Sequence, residues 1–268
     1  MFRSLKNLER YVVSATDGEL GTVVNFLLDD ERWVVRYLVV ETGSFFTERR
    51  VLISPISFRR AEWSTHRFEV ALTMEKVKNS PSIDTDKPVS RQHERDYHAY
   101  YGYPYYWGYS GSWAMGRYPY LLAEAQRNEA PSKGSDAPGD AHLRSVKDVC
   151  GYKVQGSDGV IGHVEDFIGD DETWEVRYLV IDTSYWGFGK KVLVAPHWAT
   201  RVSWEDRTVF VDLSREAVKN GPEWNADAAV NREYEARLYD YYGRPVYWDA
   251  GAPPVGTLPR HHSGTRPG

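Results

Sequence analysis

A metal site or a nucleophilic centre in this 268-residue chain would have to come from eight histidines, one cysteine and a few acidic clusters. His66, His93, His98, His142, His163 and His197 are scattered, and only His93 and His98 fall close together; five apart on a helix, they lie off one face. His261-His262 is too short a tract to make a metal site. The triplets Asp29-Asp30-Glu31 and Asp170-Asp171-Glu172 group oxygen ligands but lack the alternating spacing and terminal Glu of a calcium loop, so they read as solvated hairpin turns. Cys150 excludes an intramolecular disulfide, suits a reducing, cytoplasmic compartment and reads as a small buried hydrophobe. Gly18 with Gly21, and Gly159 with Gly162, precede a strand and no Lys-Ser/Thr follows, so turn geometry accounts for them without a phosphate loop. No Ser-centred elbow occurs. The chain therefore reads as a non-enzyme, with no catalytic residue, metal or cofactor expected.

Two other residue classes invite binding. Arg36 and Arg177 recur inside otherwise apolar strands and read as partly exposed arginines laid over a sheet, or as anchors for a partner's carboxylate. Arg49, Arg50, Arg59 and Arg60 form a basic edge that either blocks strand pairing or contacts an anionic partner. The aromatic endings Tyr100–Trp107 and Tyr241–Trp248 share their spacing and read mainly as packing of a helix onto its sheet. The run through Trp107, Tyr109, Trp113, Tyr118 and Tyr120 extends beyond the shared part and is the best candidate for an interface.

What must position these residues is a unit written twice. WVVRYLVVET, Trp33 to Thr42, returns as WEVRYLVIDT, Trp174 to Thr183, identical at seven of ten positions. An offset of 141 then holds without a gap, aligning Asp17 with Asp158, Pro55 with Pro196, Trp63 with Trp204, and Tyr106-Trp107 with Tyr247-Trp248. Within the repeated strand, Trp33, Val35, Tyr37 and Val39 share one face and predict a core. Val34 stands opposite Glu175 in the other copy, a change that suits exposed positions. Turn signals divide each unit into six short strands that favour a small closed or nearly closed barrel. Thr73 and Ser214 are expected to cap a short helix, and a second helix is expected over about Ser90–Tyr101 and Asn231–Tyr242, each followed by a Gly. The fold class is thus mainly β with short helices: two tandem six-stranded barrels, each followed by a helix and an aromatic segment. The boundaries read 1–107, an aromatic then Gly/Ser/Pro-rich linker at 108–143, 144–248, and a tail at 249–268 expected to be disordered. Leu121–Asn128 is expected to form a short helix within the linker.

The turns TDGELG and SDGVIG, followed by VRYLVVET or VRYLVIDT and then VLISP or VLVAP, resemble the PRC-barrel domain over roughly Leu5–Leu72 and Val146–Leu213. That family is named for the cytoplasmic domain of the photosynthetic reaction centre H subunit and includes the ribosome maturation factor RimM. The YYGYPYYW and YYGRPVYW endings look like bacterial stand-alone members. The resemblance implies a small β-barrel and action through protein contacts. It does not carry over electron transfer or ribosome maturation, because the H subunit's membrane helix and RimM's separate N-terminal barrel have no counterpart here.

Function is expected accordingly. The leading expectation is a non-catalytic adaptor or scaffold with a protein partner, and homo-oligomers are compatible with it. An alternative is RNA or ribonucleoprotein binding through the first unit. The formal charge of −5 disfavours a general nucleic-acid surface, yet the acidic excess lies in residues 144–248, whereas residues 1–107 balance 15 basic with 15 acidic side chains. A further alternative is a peripheral role at a photosynthetic or other membrane complex. No apolar run approaches the roughly 20 residues needed to span a bilayer, so membrane insertion is not expected.

Overall fold

The computed structural model describes the chain except for residues 44–48, 82–88, 108–111, 114–116, 121–142, 185–188, 227 and 249–268. The expected helix at Leu121–Asn128, the Gly/Ser/Pro-rich part of the linker and the tail lie outside the described residues. Among the described residues fourteen strands are formed. In the first half they are β1 (Phe2–Ser4), β2 (Val12–Ala15), β3 (Gly18–Asp29), β4 (Val34–Thr42), β5 (Arg50–Ile53), β6 (Phe58–Glu62) and β7 (Arg67–Val70). In the second they are β8 (Leu143–Ser145), β9 (Lys153–Gly156), β10 (Gly159–Asp170), β11 (Val176–Asp182), β12 (Lys191–Val194), β13 (Ala199–Ser203) and β14 (Thr208–Val211).

These strands build two seven-stranded sheets with matching orders, β5-β4-β3-β2-β7-β6 and β12-β11-β10-β9-β14-β13. The seventh strand is exchanged: β8 pairs with β3, and β1 pairs with β10. Expected as closed or nearly closed six-stranded barrels, the sheets are not closed, since among the described residues no pairing joins β5 to β6 or β12 to β13. Pro55, which has no amide hydrogen, opens a single turn at Pro55–Ser57 that carries the chain from β5 into β6 without a ladder between them. Pro196 does the same at Pro196–Trp198.

The chain divides into two compact units, Met1–Cys150 with Asp166–Arg177, and Gly151–Glu165 with Tyr178–Gly268. In the first unit β4 is the central stave. Trp33, Val35, Tyr37 and Val39 are buried as their shared face predicts, but so are Val34, Leu38 and Val40 on the other face. Glu175 is buried as well, against the expectation that the Val34 and Glu175 positions face solvent. Arg36 and Arg177 are likewise buried, not laid over an exposed wall. Phe68 packs against Tyr11 and Phe58 at 5.2 and 5.0 Å, and Trp174 meets Phe58 edge-on at 5.2 Å. In the second unit, Tyr178, Val180, Val192, Val194, Trp198, Val209, Leu238 and Tyr239 make the core.

Local chemistry sets the ends. The acidic triplets are turns, but their first residues point inward: Asp29 Oδ1 accepts from the amides of Glu31 and Arg32 at 3.0 and 3.2 Å, and Asp170 Oδ1 from those of Glu172 and Thr173 at 2.9 and 3.0 Å. Gly21 and Gly162 answer to more than turn geometry, because a Cβ at either would stand 2.0 Å from a backbone oxygen of the neighbouring strand, Glu41 or Asp182. Ser90 caps the helix Arg91–Tyr101, which Gly102 ends at φ 71°, and Asn231 caps Arg232–Tyr241. Among the described residues no helix is long and apolar enough to cross a membrane.

Arg10 occupies the left-handed region at φ 68°, where its counterpart Gly151 has φ 91°. Arg10→Gly is expected to stabilise the fold by about 1 kcal/mol, the usual penalty of an L-residue there. A urea midpoint that rises at unchanged slope would show it, and a midpoint that falls would mean that the strain is relieved elsewhere.

Candidate functional site

The chemically richest residues of the first unit converge between β4 and the helix Arg91–Tyr101. Glu94 is fully buried, and its carboxylate accepts hydrogen bonds from the hydroxyls of Tyr37, at 3.1 Å, and Tyr106. Arg91 closes the other oxygen at 3.0 Å and lies 4.4 Å over the Trp107 ring. The stave, the helix and the aromatic segment are thereby tied through one carboxylate. Burial and the neighbouring carboxylate hold both tyrosine hydroxyls protonated, well above their usual range.

The second unit repeats this clasp at the 141 offset. Tyr178 and Tyr247 donate to Glu235 Oε1 at 2.5 and 2.9 Å, and Arg232 pairs with its other oxygen at 3.0 Å while lying 4.1 Å over Trp248. Beside these shared residues, His98 becomes Tyr239. In the first unit His98 is fully buried, with Nδ1 2.9 Å from the Pro104 carbonyl and Nε2 3.0 Å from the Tyr37 hydroxyl. The rings of Trp107, Tyr106 and Tyr105 surround it at 5.2 to 5.9 Å. Loss of water lowers its pKa to about 4, against a smaller opposing pull from Glu94, so the imidazole is neutral at neutral pH.

Arg36 lies beside this clasp. Its guanidinium holds Asp29 Oδ2 through Nε at 3.2 Å and Nη2 at 2.8 Å, donates to the Ser112 carbonyl, and sits 3.8 Å over Tyr106 and 4.8 Å over Trp113. Arg177 has a different partner. It pairs with Glu175, which also accepts from Ser112 Oγ and, at 3.4 Å, from Arg117. The replacement of Val34 by Glu175 thus supplies the second arginine's carboxylate, which explains why that acid is buried. Neither arginine is presented to an outside partner.

The aromatic run splits. Trp107 and Trp113 are buried at 8% and 1% exposure, the latter donating its indole N–H to the Thr173 carbonyl at 2.7 Å. Tyr109 lies outside the described residues. Among the described residues of the run, Tyr118 and Tyr120 keep the character of a surface: their rings stack at 5.4 Å, and Tyr120 is 52% exposed. The basic edge splits too. Arg49 is turned onto the helix Met74–Lys78, with Nη2 2.6 Å from the carbonyls of Val77 and Lys78; Lys190 holds the Gly221 carbonyl at 2.8 Å in the same way. Arg50, Arg59 and Arg60 are exposed, Arg50 lying 3.7 Å from Glu41 and Arg60 pairing with Glu62.

Sequence reasoning missed Glu94, Arg91 and Asp29 as organising residues. The signal was present, since Arg91-x-x-Glu94 recurs as Arg232-x-x-Glu235 in the same register as Tyr37 and Tyr106. Among the described residues no group of three or more His, Cys, Asp or Glu side chains is placed to hold a metal ion. Comparison with curated proteins returns no match. Residues 142–218, which run from β8 into the helix Arg215–Asn220, match the PRC-barrel domain, so that domain is present in the second half of the chain.

Proposed function

We propose that the chain is a non-catalytic protein-interaction adaptor in which the first half is a second PRC-barrel-like unit. The observation that supports this reading is the repeated clasp. In both halves the ionisable side chains best suited to chemistry are turned inward, where one carboxylate fastens helix and aromatic segment to the sheet. Such a framework keeps the carboxylate of each clasp internal and leaves recognition to its surface. The surface it presents in the first unit is the stacked Tyr118–Tyr120 pair beside the exposed Arg117, of the aromatic and arginine character common at interface centres. The RNA reading keeps the exposed Arg50 and Arg59, but Arg49 is held on helix carbonyls and Arg60 is paired with Glu62.

A photo-crosslinking amino acid at Tyr120 should capture one discrete protein in the source cells, and Tyr118→Ser should abolish that capture. The same probe at the exposed Tyr241 should capture nothing. Capture that survives Tyr118→Ser, or turnover of a metabolite by the purified chain, would overturn the proposal.

A further inference from the structure

The strand exchange is reciprocal in chemistry as well as topology, and its strand pairings and polar locks lie inside the first compact unit. β1 pairs with the end of β10 in the register Phe2–Asp170, Arg3–Gly169 and Ser4–Ile168. β8 pairs with the end of β3 in the register Leu143–Asp29, Arg144–Leu28 and Ser145–Leu27, which is the same register shifted by the sequence offset. Each strand runs into a one-turn helix, Leu5–Leu8 or Val146–Val149, whose apolar side chains are buried.

The polar locks also correspond position by position. Ser4 Oγ donates to Asp166, whose Oδ1 accepts from the Lys6 amide at 3.0 Å. Ser145 Oγ accepts from Asn25, whose Oδ1 accepts from the Lys147 amide at 3.2 Å. Arg3 meets Asp171 at 3.0 Å and Arg144 meets Asp30 at 2.7 Å. Each segment leaves for its acceptor through a hinge residue of positive φ, Arg10 or Gly151.

The backbone ladder and the polar locks of each donated segment are made with its acceptor ledge, Arg3 lying in addition 4.0 Å over the Trp63 ring, and none of these bonds depends on donor and acceptor belonging to one chain. Only the covalent tether does. We propose that Phe2–Leu8 is an exchange element whose alternative occupant site is the Ile168–Asp170 ledge of a second copy of this chain, giving a reciprocally swapped dimer. The two forms share the same bonds, so the balance between them is set by the tether, worth an effective concentration of about 1 mM for a flexible connection. At micromolar concentration the chain closes on itself. Unfolding and refolding near the effective concentration traps the dimer, because return requires the segment to detach.

The wild-type chain carries its own reporter. Lys147 Nζ of one donated segment lies 3.3 Å from Glu9 Oε2 at the end of the other, within reach of a zero-length carbodiimide cross-link. An equal mixture of unlabelled and 15N-labelled full-length chains, unfolded together and refolded over a concentration series, is separated by size and cross-linked. The expected result is a dimer fraction that grows with refolding concentration, in which Lys147–Glu9 cross-linked peptides join the two isotopes in a share approaching half. In the monomer fraction every such peptide carries a single isotope. Refolding that gives only monomer, or a dimer whose Lys147–Glu9 cross-links are all of one isotope, would overturn the proposal. So would a dimer unaffected by an excess of a free Phe2–Glu9 peptide during refolding.

Discussion

Lowering the pH from about 6.5 towards 4 should remove about 3 kcal/mol of stability through His98, the linkage equivalent of its depressed pKa. The sign follows from where the proton goes. In the unfolded chain the imidazole titrates near 6.5; in the folded chain it stays neutral down to about 4. Between those values the unfolded state binds the extra proton and is favoured. The contribution is complete above pH 6.5 and is lost as the pH falls to the folded value. The groups facing the ring come from every element around it: Tyr37 on the stave, Glu94 on the same helix, Tyr106 from the aromatic segment, and Arg36, whose charge also disfavours the imidazolium. His98→Gln should flatten this part of the profile whatever its effect at neutral pH. The readout is the difference between wild-type and variant urea stabilities across the window, from which the ordinary carboxylates cancel. Parallel profiles would show that His98 stays hydrated or shares its site with a proton.

That result would not distinguish the halves had His98 not become Tyr239, and the contrast shows what a sequence can convey. The repeated staves, the caps at Thr73 and Ser214, and the turn prolines were legible because their signals are local: a period of two, a side-chain acceptor, a missing amide hydrogen. The strand Phe2–Ser4 was not. Three residues offer no periodicity, and they pair with residues more than 160 positions away, where only tertiary structure brings an edge to meet them. The faces of Trp33–Thr42 were half legible. Alternation identified the Tyr37 face, but burial of Arg36 depends on Asp29 and Tyr106, and burial of Glu175 on Ser112 as well as on its strand neighbour Arg177; Asp29, Tyr106 and Ser112 all lie outside the strand's pattern. An arginine in an apolar strand signals either an exposed stem or a paired buried charge, and composition does not choose between them.

The choice can be tested on Arg36, where the largest effect is expected. Arg36→Met should cost about 3–5 kcal/mol, because it strands the Asp29 carboxylate in the interior and removes the cation from between Tyr106 and Trp113. A red shift of tryptophan emission should accompany the loss as the segment carrying Trp107 and Trp113 loosens. The second substitution separates charge from packing. Asp29→Asn keeps an oxygen to accept the amides of Glu31 and Arg32, so in combination with Arg36→Met it should restore more than half of the loss. Arg177→Met should cost less than Arg36→Met, since Glu175 retains Ser112 and the exposed Arg117 as donors. Equal costs at Arg36 and Arg177 with no rescue by Asp29→Asn would mean that the guanidinium acts through its volume and ring contacts alone. With rescue, the buried pair is a polar lock that commits β4 to the aromatic segment, and the two arginines are internal fasteners with different carboxylate partners.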